Sequence, residues 1–319
     1  MKSELKVIAA AVLTAACVSS PASANEVYGD VRLSLNSIDK ADGTSSDSQD
    51  SNASRVGFKG SYKLDAGLKA LYHIEAGIDA EPAGGGEEND MFSRRFGFAG
   101  LAGNFGKVLY GTLSSPYKMA GLKIDPFYDT AAGEAMGGKN YGLSGFTNGW
   151  FDNVLAYITP DMNGLQANAV MVMDDTDSND HHYNYGVSYN QNGFSAGAQL
   201  LQVNTVGSEI DATRFTAGYK TDQWSVGASM ENVDPEGLAD TDYLYVAGTY
   251  SISAKNTLKL SYGDVDNDGT GLAAGMSHNL GKKTELYALY SDVDYDDTTL
   301  DNRTVISIGV SHKFSIGGN

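Results

Sequence analysis

Apolar and polar residues alternate with a period of two along most of the chain from Val27 to Phe314. In the first alternating segment, apolar residues and glycine hold the odd positions from Val27 to Leu35, and polar residues hold most of the even positions between Tyr28 and Asn36. The same alternation recurs over residues 55–62, 68–75, 224–231, 258–263 and 306–311. Successive side chains of a strand point to opposite faces of the sheet, so the pattern predicts strands with one apolar and one polar face.

The lengths of the connections distinguish two all-β architectures. Seven short turns lie near residues 65–66, 103–104, 161–163, 191–192, 221–222, 254–256 and 281–282. They alternate with eight long connections at 38–51, 79–90, 114–150, 174–181, 204–210, 233–241, 264–269 and 292–301. A secreted β-sandwich has no reason to alternate in this way, whereas bacterial outer-membrane barrels have short turns at one end and long loops at the other. Fifteen connections therefore predict a sixteen-stranded antiparallel transmembrane β-barrel.

The third long connection, residues 114–150, is called loop 3 below. It is rich in glycine, lacks a strand pattern, and carries Asp125, Asp129 and Glu134. A connection of this length without regular structure is usually functional. We expect it to fold into the lumen of the barrel and to set the width of a pore.

Residues 1–24 have the features of a secretory signal peptide. Lys2 and Lys6 precede an apolar core over Val7–Ala16, and Ala22-Ser23-Ala24 forms a small-residue cleavage site. We therefore predict a signal peptide over 1–24 and a barrel over 25–319. The single cysteine, Cys17, lies in the signal, and the residue three before it, Thr14, disfavours lipidation there. The predicted mature chain then has no thiol for a disulfide, a nucleophile or a metal ligand.

The formal net charge of −18 argues against a nucleic-acid partner, which binds a basic surface. Of the 40 carboxylates in the chain, 28 fall in the eight long connections. Clustered like charges require water, so the rim at the long-loop end is predicted to be strongly acidic.

Catalysis and metal binding find little support in the sequence. The five histidines lie outside any recognisable nucleophile or metal motif. The segment Asp264-Val-Asp-Asn-Asp-Gly269 resembles the start of a calcium loop, but Gly275 occupies the position where an EF-hand requires glutamate. We expect no cofactor and a solvated acidic hairpin there, with weak divalent-ion binding as an alternative.

Six stretches together resemble the general porins of Gram-negative outer membranes. They are Ser54-Arg-Val-Gly-Phe-Lys-Gly60, Gly67-Leu-Lys-Ala-Leu-Tyr-His-Ile-Glu75, Phe92–Leu101, Gly106-Lys-Val-Leu-Tyr-Gly111, Ile124-Asp-Pro-Phe-Tyr-Asp129 and Val310-Ser-His-Lys-Phe314. The resemblance covers the whole mature chain and is densest before Pro160. It implies a trimeric sixteen-stranded barrel whose inward-folded third loop narrows the channel.

The resemblance also implies a set of pore-constriction residues. Arg55, Lys59 and Arg95 would form a basic cluster on the lumen wall, facing the loop 3 acids Asp125, Asp129 and Glu134. The alternation independently places the three cations on the polar face. Where the family often has a further wall arginine, this chain has Trp150, and it continues beyond Phe314 where family members end. Arg94 falls on the apolar face, which requires a rim position, a subunit contact or a bulge.

The function implied is passive diffusion of small hydrophilic solutes and ions across the outer membrane. Because the wall charges are nearly balanced and the rim is acidic, we expect mild cation preference. The expected partners are further copies of the chain in a homotrimer, outer-membrane lipid and lipopolysaccharide, and the diffusing solutes. The alternatives are a solute-specific channel, a barrel enzyme such as a lipase, and a secreted β-sandwich binding module.

Overall fold

The computed structural model describes residues 23–79, 91–132, 141–147, 149–173, 180–205, 208–297 and 302–317. Within these residues, seventeen strand segments form one sheet. They are β1 (Ser23–Lys40), β2 (Ser45–Ser51), β3 (Arg55–Lys63), β4 (Lys69–Ile78), β5 (Phe92–Gly103), β6 (Gly106–Leu113), β7 (Phe151–Ile158), β8 (Leu165–Val172), β9 (His182–Gln191), β10 (Phe194–Thr205), β11 (Ser208–Lys220), β12 (Trp224–Pro235), β13 (Thr241–Ser251), β14 (Asn256–Val265), β15 (Gly269–Asn279), β16 (Thr284–Tyr295) and β17 (Arg303–Gly317). One α-helix, α1 (Pro116–Leu122), and two 3-10 turns, Asp65–Gly67 and Gly145–Thr147, complete the described elements. None of the described helices has the length and apolar character needed to cross a membrane.

The sheet closes on itself. Neighbouring strands pair antiparallel in chain order from β3 to β17, and β17 pairs with β1 from Arg303 opposite Lys40 to Gly317 opposite Glu26. Both β2 and β3 pair with β1 and together form one strand, interrupted near Ala53, whose φ is 57°. The seventeen segments therefore make sixteen barrel strands, as predicted. Among the described residues, β1 and β3 to β17 each have a hydrogen-bonded neighbour on both sides, as a sheet that crosses a membrane requires.

The two faces of the barrel differ as the alternation predicted. Large apolar side chains on the outer face are exposed, including Leu35, Leu200 and Ile308. The inner face carries small and polar side chains, and a group of them is buried: Ser229, Ser261, Ser277, Ser291 and Ser307. Glu75 and Asp30, both assigned to the polar face, are also buried. An apolar outer face and a polar inner face are what a transmembrane barrel requires, and the small inner residues leave room for loop 3.

Several of the predicted long loops are strand over much of their length instead; in 204–210, for example, β10 runs to Thr205 and β11 begins at Ser208. The predicted loop 38–51 is a hairpin in which β2 pairs with β1 and a turn connects Lys40 to Thr44, with the Lys40 amide donating to the Thr44 carbonyl at 2.9 Å. In the predicted loop 264–269, β14 continues to Val265 and β15 begins at Gly269. The sequence of β2 is almost entirely polar, so it shows no apolar periodicity. A ladder that extends into water needs no apolar face, which is why the pattern missed it.

Candidate functional site

Loop 3 leaves β6 through α1, which packs on β9, β10 and β11. Ser115 caps the helix by accepting a hydrogen bond from the amide of Lys118 at 3.0 Å, and Pro116 occupies the first turn. Both residues are favoured at the start of a helix. The serine side chain accepts a hydrogen bond from a backbone N–H that has no partner within the helix, and proline has no backbone N–H that would need a partner. Further along, loop 3 contacts Arg55 on β3 and Ser291 on β16. A single segment can touch strands so far apart around the ring only through the interior of the barrel.

A fully buried ion pair holds both ends of loop 3. Arg214 on β11 and Glu231 on β12 lie opposite each other in register, with Nη2 and Oε2 2.6 Å apart and side chains 0% and 1% exposed. Arg214 donates to the Tyr117 carbonyl at 2.8 Å and to Thr147 Oγ1 at 2.5 Å. Glu231 accepts from the Tyr117 hydroxyl at 2.6 Å and from the Ser144 amide at 3.1 Å. These bonds offset much of the cost of burying the two charges, and Arg214 Nε is the one buried nitrogen of the pair that has no hydrogen-bond partner among the described residues.

Close apolar contacts hold the middle of loop 3 against β13–β16. Phe127 packs with Ala273 and Leu289, and Leu143 packs with Ala247. At Gly263 the approach is so close that a Cβ atom would lie 1.8 Å from the Tyr141 carbonyl oxygen, which only glycine permits. The hydroxyl of Tyr141 also donates to Asp268. Asp268, part of the calcium-like segment, thus contacts loop 3.

Arg55 and Asp129 meet directly, at 2.9 Å between Nη1 and Oδ2. The same guanidinium lies 3.2 Å from Asp30 Oδ2, and Arg32 lies 2.9 Å from that atom and 3.8 Å from Asp129. Ser311 also donates to Asp30, at 3.0 Å. The predicted approach of Arg55 to a loop 3 acid is therefore present as a contact. The site also includes Asp30 and Arg32, which the alternation places on the polar face but which no sequence signal assigned to the site.

Arg95 lies on the adjoining wall. Its Nε is 2.6 Å from Glu75 Oε1, and Tyr28 donates to the other oxygen of Glu75 at 2.5 Å. The register between β4 and β5 shifts here, so that Arg95 and Phe96 together oppose Glu75. A bulge of this kind reorients the side chains that follow. It explains why Phe96 and Phe98 both contact His73 on the inner wall, although strict alternation along β5 would put them on the same face as Arg94.

Trp150 occupies the position where the family often has an arginine. Its ring makes cation–π contacts with two cationic side chains. The Cζ atom of Arg95 lies 4.8 Å from the ring centroid and Lys118 Nζ lies 4.3 Å from it. Burial, reinforced by the neighbouring Arg95 charge, lowers the pKa of Lys118 to about 8. Lys118 is thus a loop 3 cation that loses its charge at mildly alkaline pH. Lys118 lies in a loop without strand alternation, and the sequence pattern pointed only to the acids of loop 3.

The other predicted site residues are more scattered. Lys59 lies 3.3 Å from Glu26 and 4.7 Å from the Tyr28 ring centroid, with its side chain 48% exposed. Asp125 is buried against β13, where it accepts from the Tyr245 hydroxyl at 2.7 Å. Glu134 lies outside the described residues, as does most of the predicted signal peptide. Among the described residues no group of three or more metal-ligating side chains occurs.

Arg94 projects from the outer face near the long-loop end of β5. Its side chain is 69% exposed and forms an ion pair with Asp152, which also accepts from Thr112 at 2.7 Å. The rim position anticipated from the sequence therefore accounts for this charge on an otherwise apolar face.

Comparisons with known proteins agree with this architecture. The sequence profile of a family described as Gram-negative porin matches residues 9–298. The outer membrane porin protein 32 of Delftia acidovorans is 25% identical and aligns over 96% of this chain and 99% of its own length. The major outer membrane protein P.IB of Neisseria meningitidis serogroup B is 26% identical, over 82% of this chain and 83% of that protein. Among solved structures, an anion-selective porin from Comamonas acidovorans superposes with a TM-score of 0.76 at 22% identity, covering 92% of this chain and 100% of that one.

Proposed function

Because this chain belongs to the Gram-negative porin family and forms an outer-membrane channel, we propose that it is a passive diffusion channel for small hydrophilic solutes and ions, with mild cation preference. The observation that carries the proposal is the ion pair between Arg55 on the wall and Asp129 on loop 3. Loop 3 crosses the interior, and charged groups line the space that remains.

The charges on the inner wall determine which solutes pass through the channel most easily. Arg32, Arg55 and Arg95 are paired with Asp30, Asp129 and Glu75, so their charges largely cancel at a distance. At short range the pairs still order water, and an apolar solute would have to displace it. Small polar solutes and hydrated ions exchange one set of polar contacts for another and therefore pass more easily.

Mild cation preference follows from the difference between the wall and the rim. Lys118 adds a positive charge to the balanced pairs of the wall. The acidic long connections raise the cation concentration at the entrance, although screening over roughly 8 Å at physiological ionic strength limits their reach. The Comamonas acidovorans structure is that of an anion-selective porin, but a similarity at 22% identity supports a shared fold and not a shared selectivity.

A solute-specific channel is the second candidate, because aromatic side chains cluster on one inner wall. His73, Phe96 and Phe98 contact one another, and Phe96 meets Trp150 edge-on at 4.6 Å between ring centroids. A sugar would bind by stacking on exposed ring faces. Trp150 already has Arg95 and Lys118 over its ring, which favours the general channel.

The proposed constriction consists of Arg55, Arg95 and Asp129, with Lys59, Asp125 and Glu134 contributing to the field around it. We also propose a homotrimer, in which part of the exposed apolar outer face would be covered by neighbouring subunits and the rest by outer-membrane lipid and lipopolysaccharide. Cross-linking of the detergent-extracted protein tests this assembly, and a monomer alone would contradict it.

Single-channel recording in planar bilayers tests the channel itself. With a KCl gradient across the bilayer, we expect discrete conductance steps and a reversal potential of the sign set by modest K⁺ preference. Block of the current by a neutral sugar at low concentration would favour the solute-specific channel. Clear anion preference would contradict the electrostatic argument.

A further inference from the structure

A recess inside the barrel, at the short-turn side of loop 3, collects cations. Among its lining residues are five cations and one carboxylate: Arg32, Lys259, Lys282, Lys283, Lys313 and Glu285. Loop 3 covers it with Pro126, Tyr128 and Thr130. In a chain of net charge −18, such a local excess of positive charge is unusual.

The strand register brings these cations together. Glu285, Ser311 and Arg32 lie side by side on β16, β17 and β1. Lys313 follows one step toward the short turns, where its amide donates to the Lys283 carbonyl at 2.8 Å. Lys282 and Lys283 themselves belong to the turn between β15 and β16. Strand pairing and the turn between β15 and β16 therefore place the backbones of these residues near one another.

The cations of the recess differ from those of the wall in their partners. Lys259 lies 3.6 Å from Glu285, and Arg32 is bound to Asp30. For Lys282, Lys283 and Lys313, no carboxylate among the described residues lies within the 4.0 Å of an ion pair, although Lys283 donates to the Ser315 hydroxyl at 3.3 Å. Uncompensated charges of one sign in a partly enclosed cleft focus the potential and concentrate counter-ions.

We infer that this recess binds a small oxyanion carrying two negative charges, such as inorganic phosphate, at the short-turn side of loop 3. The inference rests on the proposed channel and deepens it by naming a solute class that pauses there. Lysine ammonium groups are compact donors on flexible stems, so several can converge on one tetrahedral anion. Tyr128 adds a hydroxyl at the recess; burial and the adjacent Asp129 raise its pKa to about 12, so it keeps its proton at neutral pH.

The test is single-channel recording with inorganic phosphate added at constant KCl. In the unmodified protein we expect brief current interruptions whose frequency rises with phosphate. The combined variant Lys282→Gln, Lys283→Gln and Lys313→Gln should raise the apparent phosphate dissociation constant by at least about tenfold, and replacement of the same lysines by arginine should retain most of the binding. Heat-modifiable electrophoretic mobility shows that each variant has formed its barrel.

A matched control removes three other lysines at the same end of the lumen. Lys63, Lys69 and Lys107 lie along one row of strands β3 to β6, outside the recess. Replacing them with glutamine should change the phosphate dissociation constant by less than about twofold if the recess is the site. An equal loss in this control would overturn the inference in favour of general attraction by the short-turn end. Normal conductance steps without phosphate interruptions would overturn the inference and leave the channel intact, and absence of steps would overturn both.

Discussion

Two arginine–carboxylate regions inside the barrel have the same chemistry and different surroundings. Arg214 and Glu231 are 0% and 1% exposed, and every bond described for them reaches loop 3 or each other. Arg55 and Asp129 are 18% and 7% exposed, and Arg95 and Glu75 are 15% and 5% exposed. The first region therefore holds loop 3 in place, whereas the second keeps part of its charge in contact with the aqueous lumen.

The comparison shows that charge on the inner wall does not by itself mark the channel. A buried pair that loses one partner leaves a desolvated charge, so its removal acts on structure. A partly solvated pair that loses one partner changes the local potential, so its removal acts on selectivity.

The largest effect is expected at the buried pair. Arg214→Gln leaves Glu231 without its cation and should destabilise the barrel by about 3–5 kcal/mol, as for other broken buried pairs. It should also release loop 3 and give larger, noisier conductance steps. Thermal unfolding in detergent and single-channel recording measure the two outcomes. The double variant Arg214→Gln, Glu231→Gln should recover part of the stability, and wild-type stability in the single variant would contradict the structural role.

The next effect concerns selectivity. Arg95→Gln removes a wall charge and leaves Glu75 without its cation, so cation preference should increase. Because Glu75 is itself buried, the unfolding temperature should also fall, but by less than in Arg214→Gln. Asp129→Asn should shift the reversal potential in the opposite direction. The neighbouring Arg94→Gln is the matched control, because Arg94 lies on the outer face. Equal shifts in Arg94→Gln and Arg95→Gln would mean that lumen position does not matter.

A smaller effect depends on pH. The pKa of Lys118 is lowered to about 8 from its usual 10.5, so its ammonium loses a proton as pH rises through 8. Cation preference should therefore increase between pH 7 and 9 in the reversal potential, and Lys118→Met should abolish this step. The unfolded chain binds the proton more tightly than the folded one, so the free energy of unfolding should rise with pH between about 8 and 10.5. A step that persists in Lys118→Met would assign it to another group.

The smallest effect is expected at the exposed pair of Arg94 and Asp152. Exposed ion pairs contribute about 0–1 kcal/mol, since water and salt screen them. Arg94→Gln should leave the unfolding temperature and the reversal potential close to those of the unmodified protein. A large loss of stability would show that this rim contact is buried in the assembled protein.

The alternation of side chains made the barrel predictable, because lipid and water impose a strict period of two on each strand. The resemblance pointed to Arg55, Arg95 and Asp129, and strand parity independently placed Arg55 and Arg95 on the polar face. The buried Arg214–Glu231 pair was not predicted, because the two residues are 17 positions apart in the chain and become neighbours only through the β11–β12 register. A search for opposite charges on the polar faces of adjacent strands could have found them. Phe96 was not predicted to face the lumen because a β-bulge interrupts the alternation of β5 at this residue. Lys118 was not predicted because it lies in loop 3, where side chains do not alternate between two faces.

The central claim is that loop 3 crosses the lumen and limits the channel. Deleting residues 121–140 removes the contacts of Asp125, Phe127 and Asp129 while leaving every barrel strand in place. Single-channel conductance of this variant, with the barrel verified by heat-modifiable mobility, should be clearly higher than that of the unmodified protein. Unchanged conductance in an assembled barrel would contradict the claim.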